Sequence, residues 1–175
     1  MLILDEAVSA LDKSIEAQVL NQLRYLKRHF NLTYMFISHD LNVVQYISDR
    51  VLVMYLGQVV EIGPVDAIYA RPSHPYTKAL FNSRLSMDPN ERVDEAPLTG
   101  EPPNPIHPPS GCRFRTRCPF AEDVCARKMP VIGTWIDRAS HLSACHMEDA
   151  SSGHSRAGRG LDIATNQPAA AATVP

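Results

Sequence analysis

Two adjacent carboxylates, Asp5 and Glu6, follow the apolar run Leu2-Ile3-Leu4, and His39 follows a second apolar run that ends Phe36-Ile37-Ser38. Buried parallel strands read as near-continuous apolar runs, and open parallel sheets bind ligands outside the carboxyl ends of their strands. Both runs therefore deliver polar groups to the same rim. Nucleotide hydrolysis needs a carboxylate to hold magnesium, a group to orient the attacking water and a polar contact that senses the terminal phosphate. Asp5, Glu6 and His39 can fill these places in turn. Taken singly, each motif is commonplace, and Ser-His-Asp is more often a helix cap. Their order and spacing together point to phosphate chemistry.

The elements that would position these groups follow from periodicity. Asp12 is placed to cap a helix whose apolar positions Ile15, Val19, Leu20, Leu23 and Leu26 recur at helical spacing, with Arg24, Lys27 and Arg28 in its last turns, where positive charge suits the dipole. A strand through Thr33 to Ile37 completes strand, helix, strand, a unit that normally crosses right-handed between parallel strands. Asp40 caps a short helix carrying Leu41, Val43, Val44 and Ile47. Val51 to Met54 and Val59 to Ile62 read as a hairpin turning near Gly57, and helical pieces follow over Val65 to Ala70 and Pro75 to Arg84. The fold class is α/β.

Composition sets the outer limits. The 175 residues are 45% apolar and 21% charged with a net charge of -2, an ordinary balance that does not suggest a nucleic-acid binder. No apolar run approaches the roughly 20 residues that cross a bilayer. Met1 leads directly into a strand pattern without the features of a signal peptide, so a cytoplasmic protein is expected. Four zones are expected: strands and helices over residues 1–84, a proline-rich linker over 85–110, a cysteine-bearing extension over 111–147, and a disordered tail over 148–175. In the linker, Pro97, Pro102, Pro103, Pro105, Pro108 and Pro109 exclude regular helix. The tail is Ser, Gly and Ala with few large apolar residues, too little to offset its ordering entropy.

Cys112, Cys118, Cys125 and Cys145 are the only cysteines, and all lie in the third zone. A cytosolic cysteine cluster favours metal over disulfides. The spacing lacks the tight C-x2-C pairs of zinc knuckles, and four thiolates equally hold an iron-sulfur cluster. Arg113, Arg115 and Arg117 would help to stabilise thiolates. His107, His141 and His146 are spare ligands nearby, although such histidines more often serve as solvated or capping groups.

The motifs resemble those of ABC transporter ATPases. Leu2 to Glu6 is similar to a Walker B strand with its catalytic glutamate, Ser9-Ala10-Leu11-Asp12 to the D-loop, and His39 to the switch histidine. Asp49-Arg50-Val51, Met54-Tyr55-Leu56-Gly57 and Val60-Glu61-Ile62-Gly63 continue the match. His74-Pro75-Tyr76-Thr77-Lys78-Ala79-Leu80 narrows it to the ATPase subunits of oligopeptide and dipeptide importers. Ala7 stands where that family usually has proline, which should loosen the turn without removing a reactive group. The cysteine zone resembles the C-terminal extension of the same ATPases, which in some members is associated with a four-iron four-sulfur (4Fe-4S) cluster. The resemblance therefore puts iron-sulfur first and Zn2+ second, with a structural role for either.

The resemblance implies the C-terminal half of a P-loop NTPase domain of the ABC type with a small cysteine-rich extension. Asp5 would hold the Mg2+ of ATP, Glu6 would polarise the attacking water, and His39 would contact the γ-phosphate. Ser9 and Asp12 would lie at the interface with a second ABC ATPase subunit, identical or not. Transmembrane permease subunits would be direct partners and a peptide-binding protein an indirect one, with the protein peripheral on the inner face of the cell membrane. The sequence contains no G-x-x-x-x-G-K-[ST] loop and no LSGGQ-like stretch, both of which the family uses to hold ATP. Inactivity in isolation, and an exposed apolar side on the first strand that makes the chain marginally stable or prone to aggregate, are therefore expected. The competing expectation is a non-catalytic, metal-stabilised binding module, or a truncated fragment, that associates with a partner ATPase.

Overall fold

The computed structural model describes residues 1–83, 100–133 and 140–159. The linker residues 85–99, Pro97 among them, and the tail residues 160–175 lie outside the described residues. The described chain is mixed α/β and divides into two compact units, Met1–Val51 and Leu52–Pro175.

In the first unit, β1 (Leu2–Asp5) pairs in parallel with β2 (Tyr34–Ile37), and α1 (Lys13–His29) runs between them in sequence. The expected strand, helix, strand unit is present. The register sets Leu4 opposite Phe36 and Asp5 opposite Ile37. Side chains alternate across a strand, so Leu4 and Phe36 share one face and Ile3, Met35 and Ile37 the other. Phe36 packs against a core of Val8, Leu20, Val43 and Ile47, the last two from α2 (Leu41–Ile47). The opposite face is open, with Ile3 62%, Met35 49% and Ile37 47% exposed. Covering one such side chain contributes about 1.5–3 kcal/mol, so this two-stranded sheet lacks much of the burial that stabilises larger sheets. β1 is thus not the buried strand that its apolar run suggests.

In the second unit, β3 (Arg50–Tyr55), β4 (Gln58–Pro64) and β5 (Leu142–Ser143) form a sheet in the order β3-β4-β5, the division between units falling within β3. Leu56 and Gly57 join β3 to β4 with φ of 46° and 76°. Positive φ at both central residues is the type I′ pattern, whose twist matches a hairpin. Next come α3 (Val65–Ala70) and α4 (Pro75–Asn82), the latter ending two residues before the expected Arg84, and then α5 (Asp123–Arg127). β5, from the cysteine zone, pairs antiparallel with β4, and His141 Nε2 lies 2.6 Å from Glu61 Oε1.

Glu61 is fully buried and anchors this second unit. Its carboxylate also accepts hydrogen bonds from the backbone N–H of Ser73 at 2.7 Å and of His74 at 3.0 Å. A buried carboxylate requires such donors, and here they tie β4 to the start of α4 and to β5. His74 caps α4, its Nδ1 accepting from Tyr76 N–H at 3.0 Å. Burial lowers the pKa of His74 to about 4 against a smaller opposing effect of Glu61, so the ring is neutral near pH 7.

Residues 148–159 depart from the disordered tail expected there. They fold as turns with Ser152 and His154 buried. Polar side chains hold this segment, which hydrophobicity alone cannot reveal.

Candidate functional site

The rim of the β1/β2 pair assembles the first group of candidate residues. Glu6 N–H donates to Ile37 O at 2.9 Å, so the parallel ladder continues one step past Asp5 and brings the two strand ends level. Glu6 then leaves the strand with φ of 49°, a left-handed conformation that costs a non-glycine residue on the order of 1 kcal/mol. Ser9 holds that turn, its N–H and hydroxyl both donating to Glu6 O at 3.2 and 2.9 Å. Ala7 lies within this turn.

His39 lies two residues beyond β2, and its Nδ1 is 2.9 Å from Glu6 Oε1. The hydrogen bond to Glu6, and then its charge, raise the pKa of His39 and favour imidazolium. Glu6 Oε2 is buried and has no hydrogen-bond partner among the described residues. Such an unsatisfied atom is rare in a folded protein, and here it is enclosed by protein rather than open to water. Asp5, Glu6 and His39 are thus brought to one strand-end rim.

Asp12 stands apart from them as the N-cap residue of α1, and its side chain makes no capping hydrogen bond. Asp40 does cap α2, accepting from Asn42 N–H at 2.9 Å and Val43 N–H at 3.3 Å. Lys13 also reaches Asp40 Oδ2 at 2.9 Å and Glu16 Oε1 at 3.0 Å, and its bond to Asp40 lowers that carboxyl's pKa. Lys13, which the motifs do not single out, fixes the start of α1 to the loop carrying His39. Its only sequence signal is its position one residue after the aspartate at the N-cap position of α1.

The second candidate site lies wholly in the second unit. Cys112, Cys118, Cys125 and Cys145 all line one cavity of about 20 Å³, together with His146 and His154. None is in a disulfide. Burial raises the pKa of Cys112 and Cys145, and pushes that of Cys118 up to about 12. These three thiols are therefore neutral, contrary to the thiolate stabilisation expected of the neighbouring arginines. Arg113 Nη1 donates instead to Leu56 O at the hairpin tip, and Arg115 Nε to Ser110 O at 2.9 Å.

Among the described residues, no group of three or more His, Cys, Asp or Glu side chains is arranged to hold a metal ion. The expected metal centre is not preformed. A tetrahedral zinc site needs four sulfurs within about 2.3 Å of one point, and these thiols share a cavity without meeting that condition. Of the spare histidines, His141 is used by Glu61, and His146 Nε2 lies 2.9 Å from Lys128 O. His74 and His154 are additional histidines in the cavity wall, and His154 is unmarked in the sequence by any motif.

Residues 60–125 match the family described as oligopeptide/dipeptide transporter, C-terminal region. A putative peptide import ATP-binding protein of Brucella ovis is 52% identical over 144 residues, covering 82% of this chain and 45% of that relative. The oligopeptide transport ATP-binding protein OppF of Salmonella typhimurium is 56% identical over 134 residues, covering 75% of this chain and 40% of the relative. Its Escherichia coli counterpart is 54% identical over the same length. The chain spans less than half the length of these relatives. Over most of its length the chain is thus similar to peptide-import ATP-binding proteins, and residues 60–125 match the oligopeptide/dipeptide transporter C-terminal region.

Proposed function

We propose that this chain supplies the hydrolytic half of an ATPase subunit that energises oligopeptide or dipeptide import. The observation that carries this is the Glu6–His39 pair at the strand-end rim beside Asp5, in a chain about half identical to peptide-import ATP-binding proteins. Asp5 would hold the magnesium of ATP, which supplies charge neutralisation on the phosphates. Glu6 would orient and polarise the attacking water once its carboxylate turns from His39. His39, turned from Glu6, would donate to the γ-phosphate. Charge develops on the phosphoryl oxygens as the bond breaks, so an imidazolium held ready by Glu6 suits this task.

Ser9 and Asp12 would face a second ATPase subunit, Asp12 with a carboxylate not used in capping. Permease subunits and, through them, a peptide-binding protein are the further partners, which places the protein on the cytoplasmic face of the membrane. Among the described residues no helix is long and apolar enough to cross a membrane. The test is a chimera in which this chain replaces the matching stretch of the Salmonella relative. It should restore peptide uptake to cells lacking that protein, and uptake no better than in the deleted strain would refute the proposal.

A second reading concerns the thiols, because all four cysteines line one cavity. We infer that Cys112, Cys118, Cys125 and Cys145 hold a structural 4Fe-4S cluster, with zinc the less favoured occupant. The cluster would cross-link segments with little apolar core. Binding would deprotonate thiols that burial now keeps neutral. Anaerobic purification should give sulfur-to-iron charge-transfer absorption and about four irons per chain. Stoichiometric zinc, or no metal, would count against it.

A further inference from the structure

We propose that residues 149–157 form a strap that closes the four-cysteine cavity, with His154 as its latch. The proposal rests on reading the cavity as a thiol site but not on which group the thiols hold. His154 is buried in the cavity wall, 34 residues in sequence from Phe120, whose carbonyl lies 2.9 Å from His154 Nε2. Arg156 N–H donates to His154 Nδ1 at 3.1 Å, which fixes the neutral tautomer with the proton on Nε2.

Fastenings on either side repeat the pattern. Before His154, the Ser152 hydroxyl donates to His146 O at 2.6 Å and accepts from His154 N–H at 3.1 Å. Beyond it, Ser155 N–H donates to Glu122 Oε2 at 3.0 Å, its hydroxyl bonds Glu122 Oε1, and the Arg156 guanidinium stacks 4.7 Å from the Phe120 ring centre. His146 and Phe120 both line the cavity, so the strap is tied to its walls at two places.

These ties are polar and several are exposed to water, unlike an apolar plug. A segment so held opens locally at lower free energy than the sheet beneath it. The strap would therefore admit a metal or cluster-carrying partner to the thiols and then shield them from water and oxidants.

The test is thiol labelling of the reduced, chelator-treated chain with an aromatic disulfide reagent. The unmodified chain should label slowly under native conditions, while His154→Ala and Ser155→Ala should label at least tenfold faster. Equal rates in all three, or native labelling as fast as in guanidinium, would overturn the strap. If His154→Ala labels like the guanidinium-unfolded chain, Ser155→Ala decides, because it removes only one exposed hydroxyl. Metal content of the chain as purified reports separately on the cluster. A metal-free chain that labels slowly keeps the strap and removes the cluster.

Discussion

His39 Nδ1 stands 2.9 Å from Glu6 Oε1, a pair 33 residues apart in sequence that joins the ends of two parallel strands. The contact exists because β1 and β2 pair in register and Glu6 turns out of its strand at positive φ. It occupies one oxygen of the carboxylate, and the other is buried without a hydrogen-bond partner among the described residues.

The first prediction is a titration. His39 should titrate above the ordinary value near 6.5, and Glu6→Gln should bring it back towards that value. The pair's contribution to folding is fully present below the unfolded value and is lost as pH rises through the raised folded pKa. Histidine ring resonances followed by NMR across pH 5–9 would show it. An unshifted His39 would mean that the pair does not persist in solution.

His74 gives the opposite slope. Its folded pKa, about 4, lies below its unfolded value, so the unfolded chain takes up the proton first. The stabilisation is complete above about pH 6.5 and falls as pH drops towards 4, by up to about 1.4 kcal/mol per pH unit. Urea midpoints for the second unit at several pH values should follow that line. His74→Asn, which keeps an acceptor for Tyr76 N–H, should flatten it.

Much of this was legible in the sequence. The apolar runs, the capping Asp40, the hairpin at Gly57 and the short helices α3 and α4 follow from local periodicity and turn chemistry. Asp5, Glu6 and His39 stood out because strand ends in parallel sheets meet at one rim. What escaped was decided at long range. Nothing local marks Glu61 as the buried acceptor for Ser73, His74 and His141, and a Ser-Gly-His-Ser stretch gives no hint that His154 is buried. The metal expectation for the cysteines followed from residue type and compartment, whereas a preformed centre depends on spacing that residue type does not fix.

Glu61 makes a third prediction. Glu61→Ala leaves two backbone donors and His141 without their acceptor in a buried place, which should cost about 3–5 kcal/mol. Loss of the cooperative unfolding transition of the second unit would be the readout. A cost under about 1 kcal/mol would show that water replaces the carboxylate.

Gly111 tests the cysteine zone. Its φ is 65°, and a Cβ there would lie 2.2 Å from Cys125 O and 2.8 Å from Ala126 O. Backbone cannot yield as a side-chain tip can, and Cys112 N–H donates to that same Cys125 O at 2.7 Å. Gly111→Ala should therefore destabilise the second unit by more than about 3 kcal/mol and disperse the four thiols. Thermal unfolding and thiol labelling of the variant would check both effects.

The most direct test of the hydrolytic role of the Asp5, Glu6 and His39 rim is the steady-state ATPase rate of the purified Salmonella chimera, with and without Glu6→Gln. The chimera should hydrolyse ATP, and Glu6→Gln should lower the rate at least about 100-fold while ATP still binds, a loss typical of a group acting on the reacting water. Hydrolysis by the Glu6→Gln chimera at the rate of its parent would contradict the account.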